Sequence, residues 1–476
     1  MKSRTGGSKG SGVQNRHQKL KYYTGELGNI VLKKGAPVRF ALVYPNHYPV
    51  GMASLGFQTV YRMLNEHPEI RCERFFLPSL QGKGRPLSIE KISSIESGAA
   101  LHEFDIIGFS ISFELDIFNV LQILHSSQIT LLAKGRSPRE PLVIAGGVVT
   151  GLNPSPLLPF MDGLLVGEGE GTLNKLADLL FTAKEQYLDR ESLLGSLSSL
   201  PGFFVPGLSE NVDRQITENL DDHPVYTSIV TPDSVFKNMF IMEVGRGCRH
   251  SCKFCAACKV YGPYRYRTAH TLLKTVEMYN PGAKRIGLEG SGISDYPELE
   301  TLWEILLQSG YSVSISSMRA DRITENLIDL LEKSDIQTFT IAPEAGSPGL
   351  RNYIGKPQNE EGLREAVQRL SRSSVRTLKM YFLIGLPEET DEDVSAIIRL
   401  IKTLAEDFKG KGYKRLRVSI NAFIPKPFTE FQWAGMARKK QLQSARSRIQ
   451  RELRNTANVY LTRKNLREEQ LQTLLS

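Results

Sequence analysis

Apolar and polar residues alternate along the chain in two successive series of strand-like and helix-like stretches. In the first series, runs such as PVRFALVYPN, FDIIGFSIS and PLVIAGGVVT predict strands, and LGFQTVYRMLNEH has the spacing of an amphipathic helix. Strands that alternate with helices in this way form a parallel sheet that is covered by helices on both faces. We therefore expect an α/β, doubly wound, Rossmann-like domain over residues 32–190.

The second series follows a segment that has no regular period. Residues 191–237 contain the breakers LPGFFVPG and TPDS, so we expect a linker there. Residues 238–430 predict strands separated by helices, which fits a partial (β/α)6 barrel with its chemistry in the loops at the carboxyl ends of the strands. The strand candidates are MFIMEV, RIGLEG, YSVSISS, IQTFTIAP, TLKMYFLIG and RLRVSINAF.

The positive charge of the chain, a net +9, is concentrated at its two ends. Residues 1–31 are rich in Gly, Ser, Lys and Arg, so we expect a disordered basic tail. Residues 431–476 predict a helical extension in which Leu442, Ile449 and Leu453 share one side of a basic helix that docks on the barrel. Basic ends attract polyanions, which makes nucleic acid a candidate partner, although such ends are more often solvated flanks.

Length and composition narrow the class of protein further. A chain of 476 residues with 41% hydrophobic and 23% charged positions can bury more than one core. The number of cysteines is odd and no secretory leader pattern is present, which favours reduced thiols in the cytoplasm over a disulfide framework. The strongest apolar runs are too short for a membrane-spanning helix, so we expect no membrane span.

Four of the five cysteines lie in GCRHSCKFCAACK, directly after the first strand of the second series. Cys248, Cys252 and Cys255 have the spacing C-x3-C-x2-C, so three thiolates on one loop can hold a single inorganic centre. A structural zinc site normally recruits four ligands, whereas three thiolates on a [4Fe–4S] cluster leave one iron free for a small molecule. Cys258 leaves three alternatives open: a small residue in the pocket wall, a further ligand that would favour zinc, or a catalytic thiol.

With Phe254 directly before the third cysteine, this motif resembles the signature of the radical S-adenosylmethionine (SAM) superfamily. The resemblance implies that Cys248, Cys252 and Cys255 hold a [4Fe–4S] cluster whose open iron chelates the amino and carboxylate groups of SAM. It also implies a reducing partner of the flavodoxin or ferredoxin type, and cleavage of SAM to methionine and a 5′-deoxyadenosyl radical that acts on an unassigned substrate.

Segments after the later strands are similar to other SAM-binding segments of that superfamily. In YFLIGLPEET, Leu383, Gly385 and Glu388 match the segment that shelves the adenine, with Tyr381 where the family pattern often has Gly. Taken singly, such residues can also be ordinary loop and turn residues. By resemblance, the SAM-binding residues would be Phe254, Glu289, Gly290, Ser291, Ser316, Arg319, Glu344, Leu383 and Gly385.

A doubly wound domain in front of this barrel resembles the branch of the superfamily that has an amino-terminal cobalamin-binding-type domain. The axial motif Asp-x-His-x-x-Gly of such domains is absent, because no Asp stands two residues before His47 and Gly51 lies four residues after it. Cobalamin would therefore bind without a protein histidine, or the domain has kept the fold without the cofactor. Methylthiotransferases carry three further cysteines in this domain, where this chain has only Cys72, so sulfur insertion by that route is not expected.

These observations lead to three hypotheses about function. The first is a radical SAM enzyme, with cobalamin-dependent methylation or rearrangement as the candidate reaction. The second is a cobalamin-free radical SAM enzyme that modifies RNA or protein. The third, from another class, is an RNA-binding module that is stabilised by zinc or by a cluster.

Overall fold

The amino-terminal half of the chain forms a sheet that is covered by helices on both faces. The computed structural model describes residues 25–28, 30, 32–78, 92–410 and 412–476. Besides short 3-10 turns, the elements of this half are β1 (Leu27–Gly28), β2 (Val38–His47), α1 (Tyr48–Gly51), α2 (Leu55–Glu66), β3 (Ile70–Leu77), β4 (Ile106–Ser110), α3 (Asp116–Ser126), β5 (Leu142–Gly146), α4 (Val148–Leu152), β6 (Gly163–Leu165), α5 (Leu173–Glu185), α6 (Arg190–Ser198), β7 (Phe203–Phe204) and β8 (Ile229–Val230).

The six strands of this sheet lie in the order β3-β2-β4-β5-β6-β7. The first five are parallel, and β7 is antiparallel to β6. Counted from β2, the parallel strands follow the order 2-1-3-4-5 of a doubly wound sheet, which confirms the predicted fold class. In this arrangement the ligand lies beyond the carboxyl ends of the strands where the order reverses, here between β2 and β4.

Both faces of the sheet are buried, which explains why its strands read as continuous apolar runs. Phe40 and Leu42 of β2 pack in one core with α2 and α5. Ala41 and Val43, which point to the other face, pack in a second core with α3. Burial on both faces therefore determines the position of β2 in the middle of the sheet.

Two segments that were expected to lack regular structure contain some. Most of the predicted disordered tail, residues 1–24, 29 and 31, lies outside the described residues, but β1 pairs antiparallel with β8. The predicted linker, residues 191–237, includes most of α6 and all of β7. Leu197 and Phe203 are buried in the first core, so apolar burial overrides the flanking breakers and the sheet extends to β7.

The carboxy-terminal half contains the predicted barrel. All six strand candidates are strands, namely β9, β11, β12, β13, β14 and β15. The elements of this half are β9 (Met239–Arg246), α7 (Ala257–Val260), β10 (Arg265–Tyr266), α8 (Ala269–Tyr279), β11 (Arg285–Gly290), α9 (Leu299–Gln308), β12 (Ser312–Ile315), α10 (Glu325–Lys333), β13 (Thr338–Glu344), α11 (Pro348–Tyr353), α12 (Glu360–Arg372), β14 (Thr377–Ile384), α13 (Asp391–Asp407), β15 (Arg415–Ala422), α14 (Lys439–Leu453), β16 (Val459–Arg463) and α15 (Leu466–Leu475).

The barrel consists of two four-stranded sheets, β10-β9-β11-β12 and β13-β14-β15-β16. Apart from the antiparallel β10, neighbouring strands in each sheet are parallel. The Met318 N–H donates a hydrogen bond to the Thr340 carbonyl oxygen over 3.1 Å and links the two sheets. One core lies between the strands and the outer helices, so the opposite face of each strand lines the barrel interior.

The predicted helical extension, residues 431–476, is not helical throughout. Strand β16 adds to the barrel beside β15, and it was missed because only Val459 and Leu461 are apolar in a short, mostly polar stretch. The basic helix α14 does bury Leu442, Ile449 and Leu453, as predicted from their common face. None of the helices in the described part of the chain is both long and apolar enough to cross a bilayer.

Glu469 of α15 ties this extension to the barrel. Its buried carboxylate accepts a hydrogen bond from the Ala422 N–H over 2.9 Å and pairs with Arg446 of α14 over 2.7 Å. The pair joins α14 and α15 to the end of β15, so the helices of the extension and the barrel strand share one polar anchor.

We expect Glu469→Ala to lower the free energy of unfolding by about 3 kcal/mol, because it leaves the largely buried Arg446 guanidinium without its carboxylate. Urea unfolding of the full chain measures the change. Glu468→Ala, at the exposed neighbouring position, is the control and should cost less than about 0.5 kcal/mol. Equal effects of the two variants would contradict the anchoring role of Glu469.

Candidate active site

The clustered cysteines lie on the loop after β9 and on α7, and all four thiols are half-buried. Gly247 begins the loop with a φ of +83°, and a Cβ at this position would lie 2.7 Å from the Pro263 carbonyl oxygen. The Cys255 N–H donates to the Cys252 carbonyl oxygen over 3.0 Å. The loop therefore folds back on itself, and glycine is required where its two arms meet.

Two distant segments hold this loop in place. The Lys253 N–H donates to the Ile354 carbonyl oxygen over 3.0 Å, and the Phe431 N–H donates to the Lys253 carbonyl oxygen over 3.1 Å. A Cβ at Gly355 would lie 3.4 Å from the Cα of Cys252. The cysteine loop thus packs against the end of α11 on one side and the segment after β15 on the other.

The three thiols of the C-x3-C-x2-C motif share one partly buried environment. Burial raises the pKa of Cys252 to about 11, with the neighbouring thiols of Cys255 and Cys248 acting in the same direction and Lys356 opposing them. Burial also raises the pKa values of the Cys248 and Cys255 thiols. Metal ligation requires the thiolate form, so a cationic centre would offset the cost of ionising the three neighbours.

This donor set fits a [4Fe–4S] cluster. Soft thiolates select iron–sulfur clusters, and in such a cluster each thiolate binds a different iron. Across the described ranges, no three His, Cys, Asp or Glu side chains converge closely enough to hold a single metal ion.

Cys258 lies on α7 beside the other three thiols. Its Sγ approaches the Cys255 carbonyl oxygen at 3.9 Å, and it contributes to the electrostatic surroundings of both Cys248 and Cys255. Cys258 lies on a short helix after the motif and not on the loop itself, so it is not part of the C-x3-C-x2-C motif.

A cavity of about 610 Å³ extends between the two halves of the chain. It opens at the carboxyl ends of β4 and β5, the edge of a doubly wound sheet where ligands bind, and Phe40 and Leu42 from the middle of β2 extend its lining. Its polar lining combines Ser110, Ser112, Gly146, Gly147, Glu168 and Glu170 of the amino-terminal half with Glu243, Arg246, Glu289, Gly290, Ser291 and Ser316 of the barrel. Four of the predicted SAM-binding residues therefore face a space that the amino-terminal domain also lines.

Glu289 and Ser316 form the polar pair at the barrel end of this cavity. Burial raises the pKa of the Glu289 carboxyl, while a hydrogen bond from the Ser316 hydroxyl acts in the opposite direction. The pair thus offers a carboxyl and a hydroxyl at the ends of two neighbouring parallel strands, β11 and β12.

The remaining predicted residues lie around the cysteine loop. Phe254 and Leu383 pack against one small apolar cluster that includes Leu386 and Phe431. Gly385 has a φ of +75°, and a Cβ there would lie 2.8 Å from a methyl carbon of Leu442, so the close approach of α14 also requires glycine.

Glu344 and Arg319 have partners of their own. Glu344 pairs with Lys356 over 2.9 Å beside Cys252. Lys356 was not predicted, because it lies shortly before a helix cap and belongs to no motif of its own. Arg319 pairs with Asp321 over 3.0 Å and affects the Cys248 thiol electrostatically, but it does not line the cavity.

A buried ion cluster joins the two halves at the wall of the cavity. Arg246, the last residue of β9, pairs with Glu168 at 2.8 Å, Glu170 at 2.7 Å and Glu243 at 2.8 Å. Arg265 of β10 also pairs with Glu168, over 2.6 Å. We call these five residues the interdomain ion cluster. It was not predicted, since its members lie far apart in the sequence and form no local motif.

Two adjoining protein families match this chain. Residues 56–206 match the family described as "Radical SAM proteins, N-terminal", and residues 242–401 match the family described as "Radical SAM superfamily". The second match begins within β9 and includes the whole C-x3-C-x2-C motif. The chain is a member of the radical SAM superfamily. It is therefore an enzyme, and the cofactors of its superfamily are a [4Fe–4S] cluster and SAM.

Relatives of this radical SAM protein span most or half of its length. An uncharacterized protein of Methanocaldococcus jannaschii is 27% identical over 399 residues, which cover 82% of this chain and 78% of the relative. An uncharacterized methyltransferase of Pyrococcus horikoshii is 25% identical over 261 residues, 52% of this chain and 54% of the relative. A putative methylthiotransferase of M. jannaschii is 23% identical over 382 residues, 76% and 74% of the two chains.

Two solved radical SAM enzymes share the fold. TsrM of Kitasatospora setae, a methyltransferase whose structure holds cobalamin and a [4Fe–4S] cluster, has a TM-score of 0.56 at 15% identity, covering 83% of this chain and 77% of TsrM. The cobalamin-dependent enzyme OxsB has a TM-score of 0.52 at 16% identity, covering 77% of this chain and 52% of OxsB. Both matches include an amino-terminal domain of the cobalamin-binding type followed by the radical SAM domain.

In this radical SAM barrel, the segment YFLIGLPEET at the end of β14 is supported by an acidic residue, Glu389. Glu388, the residue in register with the family pattern, is exposed and has a φ of +61°. Glu389 instead accepts the Gly385 N–H over 2.5 Å, and its second oxygen is buried with no hydrogen-bond partner in the described part of the chain. Burial raises the pKa of Glu389 to about 7, against the opposing effect of the Gly385 N–H.

The raised pKa makes stability depend on pH in a defined direction. The folded state favours protonated Glu389, so this contribution to stability is present at low pH and is lost as pH rises through about 7. We expect Glu389→Gln to remove that loss of stability. From pH 5 to pH 8, its free energy of unfolding should rise by roughly 2 kcal/mol relative to that of the wild type, as measured by urea unfolding. Glu388→Gln is the matched exposed control, and a gain that is the same at both pH values would contradict the prediction.

Proposed function

We propose that this chain is a cobalamin-dependent radical SAM enzyme that transfers a methyl group. The observation that carries the proposal is the cavity between the two domains, because it joins the ligand edge of the doubly wound sheet to the SAM-binding residues of the barrel. The methyltransferase relative and the likeness of the fold to TsrM support the same reaction class.

We assign Cys248, Cys252 and Cys255 as the cluster ligands. The loop that carries them is held by backbone hydrogen bonds to Ile354 and Phe431, which fixes the thiols before any cluster binds. When bound, the reduced cluster supplies the electron that cleaves SAM, and an electron donor of the flavodoxin or ferredoxin type restores it.

The other residues assigned to SAM divide into an apolar and a polar group. Phe254 and Leu383 present an apolar surface that would shelve the adenine and exclude water. Glu289 and Ser316 offer a carboxyl and a hydroxyl that would bind the methionyl amine. Gly290 and Ser291 continue the polar wall, and Lys356 holds Glu344 in its place beside Cys252.

The lining of the cavity also fits a corrinoid. Gly146 and Gly147 expose backbone to the cavity at the sheet edge, and Ser110 and Ser112 offer hydroxyls beside them. Phe40, Leu42, Ile144, Leu173 and Phe203 extend the cavity as an apolar floor between the sheet and its helices. Bound cobalamin supplies a carrier for the methyl group. His47 does not line the cavity, so we propose binding without an imidazole from that residue.

Methyl transfer fits this chain better than methylthiolation. Cys72 is the one cysteine of the amino-terminal domain, and it is fully buried in β3 with the pKa of its thiol raised well above the usual value by burial. A second cluster held by three cysteines in that domain has no ligands in this sequence. The similarity to methylthiotransferases therefore supports a common barrel rather than a common reaction.

We expect Cys248→Ala, Cys252→Ala and Cys255→Ala each to lose most of the cluster, about four irons per chain after anaerobic reconstitution. Reductive cleavage of SAM should be lost with it. Cys258→Ala, on the short helix α7 directly after the loop, is the control and should keep both the cluster and SAM cleavage. Iron and sulfide analysis with a SAM-cleavage assay makes the measurement, and loss of the cluster from Cys258→Ala would contradict the assignment.

Corrinoid binding tests the proposal directly. We expect the full chain to retain a corrinoid absorption spectrum after incubation with micromolar cobalamin and gel filtration. Gly56 lines the cavity and a Cβ there meets no atom within 4 Å, so Gly56→Trp should fill the space and weaken binding by about tenfold or more.

Gly195→Trp is the matched control for this variant. Gly195 lies on α6, away from the cavity lining, and a Cβ there also meets no atom within 4 Å. It should bind cobalamin like the wild type. No retained corrinoid in the wild type would favour the cobalamin-free radical SAM alternative.

A further inference from the structure

One wall of the barrel interior is formed by β13, β14, β15 and β16. In β14, Leu378 and Met380 point outward and are buried in the core beneath the helices. Because successive residues of a strand point to opposite faces, Lys379 and Tyr381 point to the barrel interior. The same alternation in β15 buries Leu416 and Val418 outside and places Arg417 inside.

The register of the strands sets the two cations side by side. Lys379 of β14 is the partner of Arg417 of β15. On either side the row continues with Thr340 of β13, the partner of Lys379, and Tyr460 of β16, the partner of Arg417. We call these four residues the cation row. It crosses the interior wall with two adjacent positive charges at its centre.

Among the described residues, neither side chain has a partner for its charge. The side chains of Lys379 and Arg417 make no hydrogen bond and no ion pair there, although their backbones pair in the sheet. Arg415, one row below, is different, because its guanidinium lies over the rings of Tyr413 and Tyr460, at 5.0 and 5.5 Å from their centroids. Like charges that face each other on neighbouring strands destabilise a sheet, so the pair has a cost that no hydrogen bond or ion pair among the described residues offsets.

The carboxylates that point to the interior from other strands are engaged elsewhere. Glu344 pairs with Lys356. Glu289 accepts a hydrogen bond from Ser316, and its pKa is raised by burial, which favours the neutral form. Glu243 pairs with Arg246 and Arg267. The wall around the cation row therefore keeps a net positive charge.

We propose that the cation row binds an oxyanion, phosphate or carboxylate, that the small-molecule substrate carries. Arginine presents a planar fork that matches both groups, and the adjacent lysine adds a second charge. This inference rests on the proposed function, since it takes the barrel interior to be the substrate site. It assigns an acidic compound as the substrate class.

The position of the row also limits the shape of that compound. Lys379 precedes Leu383 by four residues on β14, which is about 13 Å at the rise of a strand. Leu383 is part of the apolar shelf proposed for SAM. Tyr381 lies between the two positions and is 37% exposed, so its ring is free to contact the middle of the substrate. The reacting carbon would thus be separated from the anionic group by an extended or cyclic body.

The test uses the full chain, anaerobically reconstituted with its cluster and without SAM. Inorganic pyrophosphate represents phosphate and succinate represents carboxylate, both at constant ionic strength, and thermal unfolding reports binding. We expect one of the two anions to raise the unfolding midpoint with a saturable dependence on concentration. The anion that does so identifies the oxyanion as phosphate or carboxylate. No shift with either anion would overturn the inference.

Lys379→Gln and Arg417→Gln separate an anion site from a structural role. Each should raise the concentration for half-maximal shift by about tenfold or more, and each should raise the midpoint of the ligand-free protein by removing the repulsion. Lys402→Gln removes the same charge from an exposed position on α13 and should leave the anion response unchanged. The inference would be overturned if Lys379→Gln or Arg417→Gln responded to the anion like the wild type, or if either variant had a lower unfolding midpoint without ligand.

Corrinoid binding by the same preparations is measured separately. The anion response needs neither cobalamin nor SAM. If the protein retains the corrinoid spectrum but shows no anion response, the result contradicts the cation row alone. If the protein shows the anion response but does not retain the corrinoid spectrum, the result contradicts the proposed function alone.

Discussion

The guanidinium of Arg246 is buried between the two halves of the chain, and the geometry of the site depends on the carboxylates that surround it. A buried charge is tolerated only when it is paired and hydrogen-bonded, because each ion loses its hydration. Glu168 and Glu170 come from the amino-terminal domain and Glu243 from the barrel, so Arg246 is satisfied only when the domains are together. The carboxylates outweigh the effect of burial and raise the pKa of Arg246, while Arg246 and Arg267 lower that of Glu243. The ion cluster therefore specifies one orientation of the domains.

That orientation determines where the cavity lies. Arg246 directly precedes Gly247 and Cys248, so the ion cluster fixes the base of the cysteine loop against the glycine-rich loop after β6. Arg214 adds a second tie, since its guanidinium donates to carbonyl oxygens at the end of α7, including that of Gly262 over 2.8 Å. On the other side of the site, Lys426 pairs with Glu114. Ties at several places along the junction hold the two halves together around the cavity.

The elements that the sequence predicted are those whose apolar residues repeat with a regular period. All six barrel strands that were predicted fall in this group, because one face of each packs on the helices. Strand β16 has only Val459 and Leu461 for the core, too few to stand out. The support of Gly385 by Glu389 instead of Glu388 depends on a left-handed backbone at Glu388, which the motif does not encode. The interdomain ion cluster could not be predicted from the sequence for a different reason. Arg246 and Glu170 are separated by 76 residues and meet only in the folded chain.

The interior wall of the barrel shows which positions are free of such packing constraints. The outward positions of β14 and β15 must be apolar to build the core, but a neutral or oppositely charged pair at positions 379 and 417 would leave that core unchanged. An Asp or Glu at either position would convert repulsion into a cross-strand attraction worth up to about 1 kcal/mol. The chain has two cations there instead, below an apolar shelf and a carboxyl that burial tends to keep neutral. A substrate with one anionic end and one apolar end would therefore enter this interior in a single orientation, with its reacting carbon toward the cysteine loop.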